Sequence, residues 1–271
     1  MAPMSRVLDG IITAHRAMAA VDDRPLAGLL ARAEATPPPR AFRAALAHGS
    51  PGDGSPGDGA PIAVIAEVKR RSPSAGPIAP DLDPSRLARS YEEGGAAALS
   101  VLTDETFFGG SPDDLARARA ACSLPVLRKD FTVCEADVYD ARIMGADAVL
   151  LIVAALADDE LVCFRALAAG LGMAALVEVH TADELHRALA AGADLVGVNR
   201  RDLATFEVDL GLAERLAASI PDEVVTVAES GVRHPDDVGR LSRTGYDAVL
   251  VGEMLVTAPD PASALRALRG V

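Results

Sequence analysis

Gly95-Ala-Ala-Ala-Leu99, Gly145-Ala-Asp-Ala-Val149, Gly192-Ala-Asp-Leu-Val196 and Gly245-Tyr-Asp-Ala-Val249 are four versions of one short phrase. In each, a glycine suited to ending a helix leads into an apolar run. The phrase recurs about every 50 residues. That is the length of two βα units, so it implies four quarter-units and eight strands. Apolar runs fall near 63–69, 97–102, 125–129, 147–153, 174–179, 195–199, 224–228 and 248–251, with helix-like segments between them. Continuous apolar strands alternating with helices indicate a parallel sheet covered on both faces. The segment from Thr181 opens with a capping box, Thr181 and Glu184, and places Leu185, Ala188 and Leu189 on one face. His234-Pro235 puts proline at a first helical position. Together these features predict a (β/α)8 TIM barrel. The alternative is a doubly wound open sheet, weakened because no GxGxxG follows the first run.

Outward from the repeat, the chain reads as one barrel domain over 1–271. Residues 1–48 form an N-terminal helical extension, in which Val7, Leu8, Ile11 and Ile12 share a face. Residues 49–58 are a tandem GSPGD, so 49–60 reads as a flexible Gly/Pro-rich insertion. Half of the 271 residues are hydrophobic, yet only 3% are aromatic and tryptophan is absent. The core must therefore be built from Ala, Val, Leu and Ile. A net charge of −13 argues against nucleic acid or an anionic membrane as a bulk partner. It leaves room for a small anionic ligand at a local basic cluster. The three cysteines, Cys122, Cys134 and Cys163, show no CxxC spacing and read as free thiols in a reducing compartment. No metal-ligand cluster is visible, and no metal is expected. Charges at Arg6, Asp9 and Arg16 interrupt any signal-peptide core, and the longest apolar stretch, 148–157, is too short to span a bilayer. The expected compartment is the cytoplasm.

Only two of the 26 basic residues are lysines, Lys69 and Lys129, and each ends an apolar run. Arginine supplies charge but keeps its proton, whereas a desolvated lysine shifts its pKa readily. A chain that has gone almost wholly to arginine and keeps lysine at two strand ends points to sites that need an ammonium group. The C-terminal ends of barrel strands face the active site. Here they carry Glu67 and Lys69, Lys129 and Asp130, Glu178 and His180, Asn199 and Arg201, and Glu229 and Ser230. Any one of these could be a structural ion pair, but so many ionisable groups on one rim point to chemistry. His180 could instead belong to the start of the following helix. Ser230-Gly231 and Gly252-Glu253 can present backbone N–H groups to a phosphate. The loop from Arg70 to Pro77 is long and rich in proline, serine and glycine, and could form a lid. Phe107, Phe108 and Phe131 stand at loop starts, where an aromatic ligand would use them.

These residues resemble the indole-3-glycerol-phosphate synthase family, the ring-closing enzymes of tryptophan biosynthesis. The most specific piece is Ile65-Ala-Glu-Val-Lys-Arg-Arg-Ser-Pro-Ser74. Leu99-Ser-Val-Leu-Thr-Asp104, Phe108-Gly-Gly-Ser111, Leu127-Arg-Lys-Asp-Phe131, Leu176-Val-Glu-Val179, Gly197-Val-Asn-Arg-Arg-Asp-Leu203 and Ala228-Glu-Ser-Gly231 follow in family order, and the match runs from about Val7 onward. Ala75, where a lysine is common, and the GSPGD repeat are the departures. The resemblance implies a carbon–carbon carboxy-lyase acting on 1-(2-carboxyphenylamino)-1-deoxyribulose 5-phosphate, with no cofactor. It implies Lys129 as general acid and Glu178 as general base. Lys69, beside Glu67, would meet the substrate carboxylate, and the division of acid work between the two lysines stays open. Asn199 and Arg201 would orient the anthranilate carboxylate and sugar hydroxyls. Ser230, Gly231, Gly252 and Glu253 would hold phosphate. Phe108, Phe131 and Pro73 would wall the ring, with Ser72, Glu229 and Leu250 completing the substrate contacts. The partner implied is a small phosphorylated substrate. A monomer is expected, with weak homo-oligomerisation or association with other tryptophan-pathway enzymes open. Three other readings compete: a phosphoribosylanthranilate isomerase-like barrel, a Schiff-base aldolase and a non-catalytic phosphate-binding barrel. The first has no need of two lysines.

Overall fold

The four glycines of the repeated phrase sit in the left-handed region, with φ of +83°, +89°, +79° and +96° at Gly95, Gly145, Gly192 and Gly245. Each ends a helix where a side chain would be strained and turns the chain into the next strand. The computed structural model describes residues 6–47, 62–73, 76–202 and 205–270. The GSPGD repeat lies outside them.

The described strands are β1 (Ala63–Val68), β2 (Arg71–Ser72), β3 (Gly76–Pro77), β4 (Ala98–Leu102), β5 (Val126–Lys129), β6 (Ala148–Ile152), β7 (Ala174–Val179), β8 (Leu195–Asn199), β9 (Val225–Glu229) and β10 (Ala248–Val251). β1 and β4 to β10 form a closed parallel barrel in sequence order. Closure is made by β1, which pairs with β4 at Ile65↔Ala98 and with β10 at Ile65↔Leu250. The open-sheet alternative is thereby excluded. The eight expected runs match the eight barrel strands. β2 and β3 form a separate antiparallel hairpin in the loop read as a lid.

Alternation within the apolar runs builds two cores. Ile65, Leu127, Leu150, Leu176, Val227 and Leu250 fill the barrel interior, joined by Phe42 and Leu46 from the short helix Phe42–Leu46. Val64, Ala66, Leu99, Val101, Val149 and Val177 point outward into the helical layer. The aspartates of the repeat have their own task. Asp147, fully buried, accepts from Val126 N at 2.8 Å, Arg40 N at 2.7 Å and Arg119 Nη2 at 2.9 Å. Asp247 accepts from Thr226 N and Oγ1, both at 2.8 Å. They tie strand starts to neighbouring strands, and Asp147 also ties the N-terminal extension to the barrel's lower rim.

The extension forms three helices, Arg6–Ala20, Leu26–Ala35 and Phe42–Leu46. Leu29 and Ala33 pack on Ala136 and Tyr139. The first helix reaches the upper rim, where His15 Nε2 lies 3.0 Å from Asp104 Oδ2 and 4.0 Å from Asp130 Oδ1. Asp104 caps the short helix Glu105–Phe108 through the N–H groups of Phe107 and Phe108. Asp130 is held by Thr103 and by Arg128 at 3.0 Å. His15 Nε2 and one oxygen of each aspartate lie within 4.8 Å of one another, a grouping the sequence reading missed. Their remaining valences are filled by backbone N–H groups, a hydroxyl and a guanidinium, so the cluster reads as a clamp.

Burial disfavours a charged His15, but the hydrogen bond to Asp104 and the charges of Asp130, Asp104 and Asp137 outweigh it, raising the pKa from 6.5. A folded-state pKa above the unfolded value stabilises fully below the unfolded value and is lost as pH rises through the folded value. His15→Gln should therefore destabilise the protein by about 1.5–3 kcal/mol at pH 5.5, the worth of a charge-assisted hydrogen bond. The deficit should shrink as pH rises above the raised value. Urea midpoints of both proteins across that range check it; a deficit that grows with pH would contradict it.

Candidate active site

The polar residues marked at the strand ends meet at the C-terminal mouth. Glu67 lies on β1, with Lys69 just beyond it on the same side, and Lys69 Nζ is 2.5 Å from Glu67 Oε1. Lys129 closes β5, and its Nζ lies 2.8 Å from Glu178 Oε2 on β7 and 3.4 Å from Glu229 Oε2 on β9. Asn199, at the end of β8, links the groups. Its Nδ2 donates to Glu178 Oε1 at 3.2 Å, while its Oδ1 accepts from Ser230 Oγ at 2.9 Å and from Arg201 N at 3.1 Å. One amide thus fixes a carboxylate and two neighbouring loops at once.

Burial and charge set the protonation states. Burial would raise the pKa of Glu178, but Lys129 and His180 reverse this and hold it below its ordinary value. Burial would lower that of Lys129, but Glu178, Glu229 and Glu67 hold it above its ordinary value. Glu229 goes the other way: burial pushes it up to about 8, with Glu178 and Glu67 adding to the shift and Lys129 opposing it. The centre therefore sets an ammonium between one carboxylate that keeps its charge and a second that holds its proton to higher pH than an ordinary carboxylate. His180 lies behind Glu178, with Nε2 3.3 Å from Glu178 Oε1 and Nδ1 3.1 Å from Glu184 Oε2. Burial opposes its charge, but Glu178 and Glu184 raise its pKa to about 9. It does not line the cavity; it braces Glu178. The capping box is altered to match: Thr181 Oγ1 accepts from Glu184 N, while Glu184 reaches back to His180 N at 2.7 Å.

The mouth is a cavity of about 500 Å³. Lys129, Glu178, Lys69, Glu67 and Asn199 line it, as do Ser72, Pro73, Phe108, Phe131, Arg201, Glu229, Ser230, Gly231, Leu250, Gly252 and Glu253. Phe108 and Phe131 form an apolar end, their rings 6.2 Å apart and tilted by 39°. Ser230, Gly231, Gly252 and Glu253 belong to the β9 and β10 ends. Phe107 is not among the lining residues.

Two glycines serve the carboxylates. A Cβ at Gly252 would run into Glu67 Oε1 and approach Lys69 Nζ to 3.3 Å, and one at Gly197 would run into Glu229 Oε1. From sequence, Gly252 stands out only as a turn or phosphate residue. The loop read as a lid is pinned at its base, where Arg70 Nη2 reaches Asp114 at 2.7 Å and Nη1 reaches the carbonyls of Pro80 and Leu82. Leu8 and Ile11 reach the cavity from the first helix, and Phe206, Val208, Arg233 and His234 also line it, none of them marked as a site residue by the sequence. Leu8 and Ile11 lie on the apolar face that was recognised; the surface they cover is set by the fold.

A profile of the family described as Indole-3-glycerol phosphate synthase matches residues 9–268. The chain is 53% identical over 238 residues, 88% of each chain, to a protein named Indole-3-glycerol phosphate synthase 2 from Streptomyces coelicolor. It is 51% identical over 261 residues, 96% of this chain and 92% of the relative, to a protein named Indole-3-glycerol phosphate synthase from Mycobacterium avium. Among solved structures it is similar to thiamine phosphate pyrophosphorylase from Pyrococcus furiosus, with TM-score 0.58 and 18% identity over 77% of this chain and 94% of that one. That likeness shows the fold alone. With half its residues shared across most of its length, the chain belongs to the indole-3-glycerol phosphate synthase family.

Proposed function

We propose that the chain converts 1-(2-carboxyphenylamino)-1-deoxyribulose 5-phosphate to indole-3-glycerol phosphate, CO2 and water. The observation that carries this reading is the pair of ammonium groups, Lys69 and Lys129, held by separate buried carboxylates in one cavity. Phe108, Phe131 and Pro73 wall the anthranilate ring. Ser230, Gly231, Gly252 and Glu253, through its backbone, hold the phosphate. Arg201 and Asn199 orient the anthranilate carboxylate and sugar hydroxyls between these ends, with Ser72, Glu229 and Leu250 completing the contacts.

In the proposed route the aryl carbon bearing the carboxylate attacks the ketone carbon. Lys129 gives its proton to the ketone oxygen, which becomes a hydroxyl. The C–CO2 bond then breaks, and its electron pair restores the aromatic ring. Lys69 protonates the new hydroxyl, which leaves as water, and Glu178 takes the ring proton. Two protons are given and one is taken, so one is drawn from solvent to balance the lost carboxylate. The ion pair orders these steps. While Lys129 is charged, Glu178 is a poor base; once Lys129 has given up its proton, its share of the field that depressed Glu178 is gone, His180 alone remains, and the basicity of Glu178 rises. A Schiff-base route through Lys129 would need its neutral amine as the nucleophile, whereas Glu178, Glu229 and Glu67 favour its charged form. Among the described residues no helix is long and apolar enough to cross a membrane. A monomeric cytoplasmic enzyme fits this reading.

Lys129→Arg should lower kcat by about 10²–10⁴-fold, the usual worth of general acid catalysis, because a guanidinium keeps its proton. Near-normal turnover in an ultraviolet assay of indole formation would remove the assignment. Glu178→Gln should leave substrate bound and stall turnover, since an amide cannot take the ring proton. A variant that melts early but turns over normally would make Glu178 a structural partner only. Ser230→Asp should raise KM by about tenfold or more by setting a carboxylate against phosphate. An unchanged KM would move the phosphate site elsewhere.

A further inference from the structure

Arg200 is the largest fully buried side chain among the described residues, and the route above gives it no task. It follows Asn199, so its side chain leaves the strand on the opposite face, toward the helical layer behind the cavity. Its Nη2 donates to the carbonyl of Ser230, and its Nε reaches the carbonyl of Glu229 at 3.5 Å. Its Nη1 has no hydrogen-bond partner among the described residues. Glu214, the carboxylate whose charge favours it most, has one oxygen taken by Arg240 Nε at 3.0 Å. A buried guanidinium so thinly compensated is costly and calls for an explanation.

The carbonyls it grips supply one. They belong to the peptide units whose N–H groups are those of Ser230 and Gly231. In a trans peptide the N–H points opposite the carbonyl. A Ser230 carbonyl drawn outward to Arg200 therefore turns the Gly231 N–H inward, toward the cavity that both residues line. Ser230 itself sits at φ +66°, a conformation a serine adopts at a cost. A cation on the carbonyl also polarises the peptide and strengthens its N–H as a donor.

We propose that Arg200 is a positioning residue for the phosphate end of the site. It fixes the Ser230–Gly231 peptide with its N–H toward the substrate phosphate and lends that peptide positive potential from behind. The inference rests on the phosphate placement proposed above. It is tested with Arg200→Met and Arg200→Lys, measuring KM, kcat, melting temperature and the competitive inhibition constant of inorganic phosphate. Arg200→Met should raise KM and the phosphate inhibition constant together by about tenfold, with kcat falling no more than about threefold. Arg200→Lys keeps the charge but not the fork, and should give a smaller rise in both, about threefold. If Arg200→Met does not fold, the lysine variant decides alone. A folded variant that melts early yet keeps both constants within about twofold of the parent would reduce Arg200 to packing and overturn the proposal. Ser230→Asp, run in parallel, separates the two readings. If it leaves KM and phosphate inhibition unchanged, the phosphate placement itself is wrong. If it raises both while the Arg200 variants are silent, only the role of Arg200 fails.

Discussion

Everything at the barrel mouth depends on keeping Lys129 charged in a place where burial alone would strip its proton. The cost of desolvating an ammonium is large, and only nearby carboxylates in good geometry offset it. Glu178 at 2.8 Å supplies that compensation, and Glu229 at 3.4 Å adds to it only as it ionises. Two buried carboxylates cannot both stay ionised cheaply around one cation, so the burden falls unequally: Glu178 keeps its charge and Glu229 is pushed up to about 8. In the proposed route this makes Lys129 a proton donor beside a latent base, Glu178, poised by one ion pair.

The surrounding structure holds that arrangement in place. His180 and Asn199 meet Glu178 from two directions, and Gly197 leaves the space that Glu229 occupies. The aromatic end is held from outside the barrel. His15 clamps Asp104, which caps the helix carrying Phe108, and its ring lies 5.2 Å from that of Phe131. The two ends of the cavity therefore lean on residues outside its lining, His15 behind the Phe108 and Phe131 rings and Arg200 behind the Ser230–Gly231 peptide.

The barrel was legible because its signals are local and repeated: a glycine that needs positive φ, then an apolar run, four times over. The strand-end residues were legible because a parallel barrel sends its C-terminal strand ends to one place, so a list of polar strand ends is already a list of neighbours. What escaped were contacts made across long separations. His15, Asp104 and Asp130 carry no common spacing, and Arg200 sits inside the motif Asn199-Arg200-Arg201, where alternation alone separates the inward residue from the buried one. Gly252 was read for its backbone, although its missing side chain matters as much to Glu67 and Lys69. Leu8 and Ile11 were seen as an apolar face, but nothing local says that the face roofs a cavity.

The chain's composition offers an unusually direct test of the central claim, that Glu178 holds the proton on Lys129. Because Lys69 and Lys129 are its only lysines, isotopically labelled lysine gives two side-chain signals by NMR, assigned by substituting one residue at a time. The account predicts that the Lys129 ammonium stays protonated as pH rises past the ordinary lysine value of 10.5, and that Glu178→Gln brings its titration down. A Lys129 that titrates at or below the ordinary value in the parent protein, or that is indifferent to Glu178→Gln, would contradict it.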